Sequence, residues 1–341
     1  MAVRTAVVLM NLGGPGSLED VEGFLYNIFS DHDVIPLPLG FLWQGLLARR
    51  IARKRAPESR QNYAKIGGRS PILALTREQG ARLEERLGPQ FKTYVAMRAS
   101  APFTEEAVDA LVKDGAQEIV ALPLYPQRTR AMSVSSMREL HRVLKKRKSR
   151  LPVHEVCCYP SEPGLLETWA DQLNATLATI PEDRRAKAHV LFSAHGLPQS
   201  LVDGGDPYLE HVKRTVAGVM EKVGASRPHR LASQSRATRA KWLEPTTQDA
   251  LSELAQAGVR DVAVVPIAFL TEHVETLYEL DMLLRDHARS VGIEGYFRVP
   301  APNCAPKLID ALAGLVTRAL AQEAPLCTAQ IDGWPCPRVN P

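Results

Sequence analysis

The stretch Asp249–Phe269, DALSELAQAGVRDVAVVPIAF, decides the fold. Its first nine residues carry apolar side chains at helical spacing, and Gly258 follows as a C-terminal stop. Asp261–Ile267 is then an almost unbroken apolar run, which leads through Pro266-Ile267-Ala268-Phe269 into a loop. A strand without polar alternation is buried on both faces, as in a parallel sheet covered by helices. The same order appears earlier in Glu105–Pro126, EEAVDALVKDGAQEIVALPLYP: helix Glu105–Asp114, Gly115, strand Glu118–Leu124 and again a proline loop.

Working outward, further buried-strand candidates are Thr5–Leu12, Thr93–Met97, Val153–Cys158, His189–Ser193, Arg230–Ser233 and Tyr296–Arg298. Strands alternating with amphipathic helices such as Thr104–Asp114 and Pro245–Ala257 imply an α/β fold with parallel sheets flanked by helices. The repeated helix–glycine–strand unit implies two similar domains: residues 1–157, then 158–305, with a cleft between them, and a helix and cysteine-containing tail over 306–341. One segment breaks the rhythm. Val34–Trp43 (VIPLPLGFLW) and Gln44–Arg55 (QGLLARRIARKR) set apolar residues beside five cations, Arg49, Arg50, Arg53, Lys54 and Arg55. That reads either as a helix with a solvated basic face or as a greasy lip over about residues 34–55 that touches anionic lipid.

Composition narrows the function classes. Hydrophobic residues at 45% and charged residues at 23% provide for a real core, and a net charge of only +4 does not mark a nucleic-acid binder. No apolar run reaches the roughly 18 residues that span a bilayer. The start, MAVRTAVVL, reads as a first strand rather than an export signal, which points to a cytoplasmic protein. Five cysteines, an odd number, argue against a disulfide framework. The Gly13-Gly14-Pro15 turn lacks both GxGxxG and the P-loop lysine, and no HExxH is present, so nucleotide binding and zinc-protease chemistry are disfavoured.

In open α/β sheets ligands gather beyond the C-terminal strand ends. His195 follows the strand His189–Ser193, with Gly196 allowing close approach. After Asp261–Ile267 come Glu272, Glu275 and Glu279, at i, i+3 and i+7, which on a helix puts three carboxylates on one face. The helix dipole accounts for acidic residues in a first turn but not for Glu279. A histidine with carboxylates suits Fe2+, Mn2+ or Zn2+.

These residues sit in a wider pattern. Met10–Pro15 (MNLGGP), Phe24–Asp31 (FLYNIFSD), Tyr63–Pro71 (YAKIGGRSP), Leu122–Gln127 (LPLYPQ), Phe192–Pro198 (FSAHGLP), Gln234-Ser235-Arg236, Trp242–Pro245 (WLEP) and Val265–Asp281 together and in order resemble the ferrochelatase family over nearly the whole chain. The resemblance implies two Rossmann-like, chelatase-type domains around a porphyrin cleft, an apolar lip and loose peripheral membrane association on the inner face. It implies insertion of ferrous iron into protoporphyrin IX, with His195 and Glu275 as catalytic and metal-site residues. Glu272, His273 and Glu279 match the acidic path for protons or metal. Asn11, Tyr63, Arg69, Tyr125 and Ser193 match cleft-lining positions.

The departures lie on the porphyrin side. Where the family has an Arg-Tyr pair, this chain reads Arg98-Ala99. After Tyr125-Pro126-Gln127 it reads Arg128-Thr129-Arg130-Ala131-Met132-Ser133-Val134-Ser135, losing an aromatic and a glycine and gaining two cations that suit a propionate or the surface. Some family members carry a [2Fe–2S] cluster on one mid-chain and three C-terminal cysteines. Here Cys158, Cys327 and Cys336 match that set, and Cys304 or Cys157 would complete it. The altered loops keep two alternatives open: a chelatase for another tetrapyrrole or metal, and a porphyrin-binding protein without turnover. The oligomeric state is not readable from the sequence.

Overall fold

The computed structural model describes residues 4–35, 41–235 and 240–329. Residues 36–40 of the expected lip, Arg236–Arg239 and Cys336 lie outside them. The chain divides into two compact units. One holds the residues up to Tyr159 together with those from Ile309 onward, and the other is Pro160–Leu308. The closing stretch, read from sequence as a separate helix and tail from residue 306, is thus grouped with the first unit from Ile309.

The first unit carries strands β1 (Thr5–Asn11), β2 (Phe91–Met97), β3 (Glu118–Pro123), β4 (Val153–Cys158) and, beyond the second unit, β9 (Leu326–Cys327). They form a parallel sheet in the order β2-β1-β3-β4-β9. The second unit carries β5 (His189–His195), β6 (His229–Gln234), β7 (Asp261–Val265) and β8 (Gly295–Arg298), parallel in the order β6-β5-β7-β8. In each unit the first strand in sequence lies inside the sheet and sends its C-terminal loop to the edge of the crevice where such folds bind ligands.

The apolar runs behave as their composition demands. β1 and β7 are buried at every position. On one face of the first sheet, Val8, Met10, Ile119 and Ala121 pack against Ala107, Val108 and Leu111 of helix Thr104–Lys113 and against Met137, Leu140 and Val143 of helix Ser135–Lys146. In the second unit Leu191, Val262 and Val264 pack against Ala250, Leu251 and Leu254 of helix Thr247–Gln256 and against Leu280. The two glycine stops are equivalent in conformation: Gly115 has φ 77° and Gly258 φ 79°, the left-handed region that a side chain disfavours.

The segment after residue 40 is one helix, Phe41–Lys65, interrupted in composition by Pro57. Trp43 is 56% and Leu46 65% exposed. Some of the basic residues are engaged: Arg49 lies over the Tyr26 ring and Arg53 is 3.4 Å from Glu22. No helix among the described residues is long and apolar enough to cross a membrane.

Leu111 is fully buried between its helix and the sheet. Leu111→Ala should therefore lower unfolding free energy by about 2–5 kcal/mol, the range for a cavity left by a buried leucine. Urea denaturation of the full chain followed by circular dichroism measures it.

Candidate active site

The site is built in the second unit, where β5 and β6 end side by side. His195 is the last residue of β5, and its partner in register is Gln234, the last residue of β6. Close approach here needs Gly196: a Cβ on it would lie 2.9 Å from the Ser235 carbonyl and 3.0 Å from that of Gln234. The Gly196 N–H donates to the Gln234 carbonyl at 2.6 Å, locking the two strand ends together.

His195 Nδ1 is 2.7 Å from its neighbour's carbonyl, Gly196 O. A carbonyl can only accept, so in the neutral ring Nδ1 carries the hydrogen and Nε2 keeps the lone pair. The Tyr208 hydroxyl donates to the His195 carbonyl at 2.9 Å. The imidazole has two aromatic neighbours, with ring centres 6.5 Å away at Trp242 and 6.3 Å away at Phe269. One basic lone pair in an apolar frame is suited to accept a proton or to ligate a cation.

Gln234 ties this strand end to the acidic segment. Its Oε1 accepts from the Ser193 hydroxyl at 2.7 Å, and Ser193 in turn is 2.8 Å from Thr247 Oγ1. That fixes the amide, so that Nε2 donates to the Glu275 carbonyl at 2.9 Å and to Glu279 Oε2 at 3.3 Å. Ser235, held at φ 62°, donates to the same carboxylate oxygen at 2.5 Å. A non-glycine residue in that conformation is uncommon and tends to mark functional loops. Ser193 is fully buried in this network, where its hydroxyl orients Gln234.

The acidic row splits where sequence spacing puts it on one face. The helical segment opens at Glu275 and runs to Leu284 with π-helical bonding, so Glu272 and His273 precede it. Glu272 instead accepts from Arg298 at 2.6 Å and from the Ala301 N–H at 2.8 Å. Arg298 also grips Asp281 with two 2.8 Å bonds. Burial works to raise the Glu272 pKa, but Arg298 and the surrounding hydrogen bonds outweigh it and hold the carboxyl below its usual range. Glu272 is a compensated anion.

His273 faces Phe269 with ring centres 4.4 Å apart, and its Nε2 is 3.5 Å from Glu275 Oε2. Burial lowers its pKa, against the pull of Glu275 and Glu272 and with the help of His195 and Arg298, so the ring is neutral near pH 7. Glu279 moves the other way: burial, with the Glu275 charge beside it, pushes it up to about 7, despite the bonds from Ser235 and Gln234. Glu279 therefore offers a carboxyl that exchanges its proton near neutrality, beside Glu275.

Of the remaining expected residues, Asn11, Tyr63, Arg69 and Tyr125 belong to the first unit. Asn11 closes β1, donating to Thr76 Oγ1 at 3.3 Å, and is buried, as is Tyr63. Arg69 is exposed. Burial pushes the Tyr125 phenol above its usual range. Arg98, at the end of β2, is 2.7 Å from Asp31 and donates to Ser135 at 2.9 Å. Arg128 is buried at 7% exposure, while Arg130 is exposed and 3.4 Å from Asp33. Cys158 and Cys327 lie with their sulfurs 3.2 Å apart in the first unit. Cys304 belongs to the second unit. Among the described residues, no three His, Cys, Asp or Glu side chains form a ready cation cage.

Sequence reasoning passed over the roles of Gln234, Arg298, Phe269 and Trp242. Gln234 was legible only as part of a matched segment. Its function follows from the register of β6 against β5, which single-strand patterns do not carry.

Against known proteins, the model of the family described as ferrochelatase matches residues 4–320. The chain belongs to the ferrochelatase family. It is 43% identical to the ferrochelatase of Geotalea uraniireducens over 95% of this chain and all of that one. It is 44% identical to that of a Nostoc strain over 93% of this chain and 82% of the relative. In fold it is similar to SirB from Bacillus subtilis, solved with Fe3+, with a TM-score of 0.55 at 14% identity, covering 94% of this chain and 96% of SirB. As a ferrochelatase, the chain is a lyase of haem synthesis that joins ferrous iron to protoporphyrin.

Glu279 also gives a stability test. Its pKa is raised on folding from an ordinary value near 4.5 to about 7, so the folded state binds the proton more tightly. Its contribution is thus present below about pH 4.5 and lost as pH rises through 7. Glu279→Gln should remove that loss, gaining up to about 3 kcal/mol relative to the unmodified chain at pH 8 compared with pH 4.5. Denaturation midpoints at the two pH values measure it.

Proposed function

We infer that this chain inserts ferrous iron into protoporphyrin IX to give protohaem, and that His195 and Glu275 carry the step. The observation that supports this most is the Nδ1–H of His195, held by the Gly196 carbonyl, which leaves Nε2 with the ring's single lone pair. Insertion must take two protons from the pyrrole nitrogens as the cation enters. His195 Nε2 accepts one. Glu275, coupled to His273 at 3.5 Å and to Glu279, takes the other and passes it outward. Ferrous iron is the substrate cation, and Glu275 with His195 steers it toward the macrocycle nitrogens. Glu272, compensated by Arg298, braces the loop that carries His273 and is not itself a relay. Binding a bent macrocycle best would expose the nitrogen lone pairs, a case of complementarity to the reacting form.

Asn11, Tyr63, Arg69 and Tyr125 remain proposed porphyrin contacts on the strength of the family pattern. A [2Fe–2S] cluster of the family pattern would be held by Cys158 and Cys327, whose sulfurs adjoin, with Cys336, which lies outside the described residues, and Cys157 or Cys304. For location, we propose peripheral contact with a membrane through Trp43 and Leu46, flanked by the basic residues that follow them.

Anaerobic incubation with Fe2+ and protoporphyrin IX, followed by haem absorbance, tests the activity. His195→Ala should lower kcat/KM by on the order of 10²–10⁴ while circular dichroism and porphyrin fluorescence quenching stay near those of the unmodified chain. Turnover at the unmodified rate would remove His195 from the chemistry. For the membrane contact, sedimentation with phosphatidylglycerol vesicles should fall several-fold in a Trp43→Ser, Leu46→Ser double variant, and equal binding of both proteins would contradict it.

A further inference from the structure

We propose that Asp33, held by Arg130 and Arg138, is the positioning residue of a clamp that fastens the lip-bearing helices within the first unit and so sets how firmly porphyrin is held. The porphyrin part rests on the functional reading above; the clamp itself begins from packing. Helices Val21–Ser30 and Phe41–Lys65 pack chiefly against each other, and neither packs comparably on a strand or another helix. Val21, Phe24 and Phe29 of the first are buried, as are Ala48, Ala52 and Ala56 of the second, at helical spacing. The exposed Trp43 and Leu46 stand on the second helix. Among the described residues, the joints between this helix pair and the sheet-bearing part of the unit are polar.

The turn Asp31–Ile35, which follows the first helix, gathers them. On the side of the second helix, Gln44 Nε2 donates to the Phe29 carbonyl at 2.7 Å and to the Ile35 carbonyl at 2.8 Å, and Gln44 Oε1 is 3.4 Å from His32 Nδ1. On the side of the sheet, Asp31 Oδ2 is 2.7 Å from Arg98 Nη2 and accepts from the Ser135 hydroxyl at 2.9 Å. Asp31 Oδ1 accepts from the Asp33 N–H at 2.9 Å, which fixes the turn. Asp33 Oδ1 then takes two guanidiniums, Arg138 at 3.0 Å and Arg130 at 3.4 Å. Nearby, Asn27 Nδ2 donates to the Ala99 carbonyl at 2.9 Å.

The position of the two cations gives the clamp its task. Arg130 opens the π-helical turn Arg130–Val134, and Arg138 lies further along, on helix Ser135–Lys146. That segment follows Tyr125, a proposed porphyrin contact, so the clamp ties the lip to the loop on the porphyrin side. Arg130 is also one of the two cations by which this chain departs from the family pattern, and Asp33 is a partner for it within the same unit. A single exposed ion pair contributes little. Here one carboxylate is shared by two guanidiniums and continues through the turn into the more buried Asp31–Arg98 pair, so the charges act as a network. Loosening it lets the helix pair part from its support more often, and bound porphyrin then leaves faster. The groups around His195 are untouched, so the effect falls on KM and not on kcat.

Hydrogen exchange of the full chain, read without porphyrin or iron, tests the clamp separately from the activity. Asp33→Asn should speed exchange at residues 43–52 by about threefold to tenfold, the reach of two or three weak ion pairs. The porphyrin dissociation rate, followed by fluorescence, and the KM for porphyrin should rise by a similar factor, while kcat stays within twofold. High ionic strength should move the unmodified chain toward the variant and leave the variant nearly unchanged. An Arg130→Gln, Arg138→Gln double variant should reproduce the effect, and adding Asp33→Asn to it should change little more. Unchanged exchange in Asp33→Asn and in the double variant would overturn the clamp. Faster exchange with unchanged porphyrin dissociation would overturn its role in holding porphyrin. Fully additive effects would put the three charges in separate contacts and overturn the proposal as well.

Discussion

The second unit depends on one side-chain amide. Gln234 is placed beside His195 by the parallel register of β5 and β6, and its orientation is fixed by the buried Ser193 hydroxyl and, behind it, by Thr247. With Oε1 used in this way, Nε2 can only donate outward, to the Glu275 carbonyl and the Glu279 carboxylate. Sheet geometry is thereby converted into the position of two acidic residues that lie 41 and 45 residues further along the chain. An amide engaged at both ends in this way has no second arrangement of equal energy, since a flipped amide would face an acceptor with its oxygen.

A second constraint separates charges that sequence spacing groups together. Arg298 neutralises Glu272 and Asp281, while Glu279 has the Glu275 charge beside it. One of a pair so placed must hold its proton near neutral pH, and burial selects Glu279. The π-helical bonding of Glu275–Leu284 fits the same need, since a widened turn re-aims side chains at its start. A carboxyl that titrates near 7 results, joined through Gln234 to the strand end that carries a histidine of fixed tautomer.

Much of this was legible in the sequence. The eight longer strands were legible within a residue or two, most plainly β1 and β7, whose burial at every position leaves no polar alternation. Strand β9 was not legible, since two residues carry no period. His195 and Glu275 stood out through strand-end position and family pattern. The helical spacing of Glu272, Glu275 and Glu279 misled, because the N–H of Glu272 is taken by Asn303 and its carboxylate by Arg298, so the helix starts later. Ser193 lies in the same strand, which is buried throughout Val190–Ala194, and its hydroxyl bonds Gln234. Such facts depend on partners far away in sequence, which local pattern cannot reach.

The dependence on Gln234 can be measured directly through the titration of Glu279 by carbon-13 NMR in the unmodified chain and in Gln234→Leu. Loss of the amide donor should move the Glu279 midpoint upward from about 7, and iron insertion should drop by tenfold or more with the fold retained. An unchanged midpoint together with unchanged turnover would contradict the view that this amide organises the site.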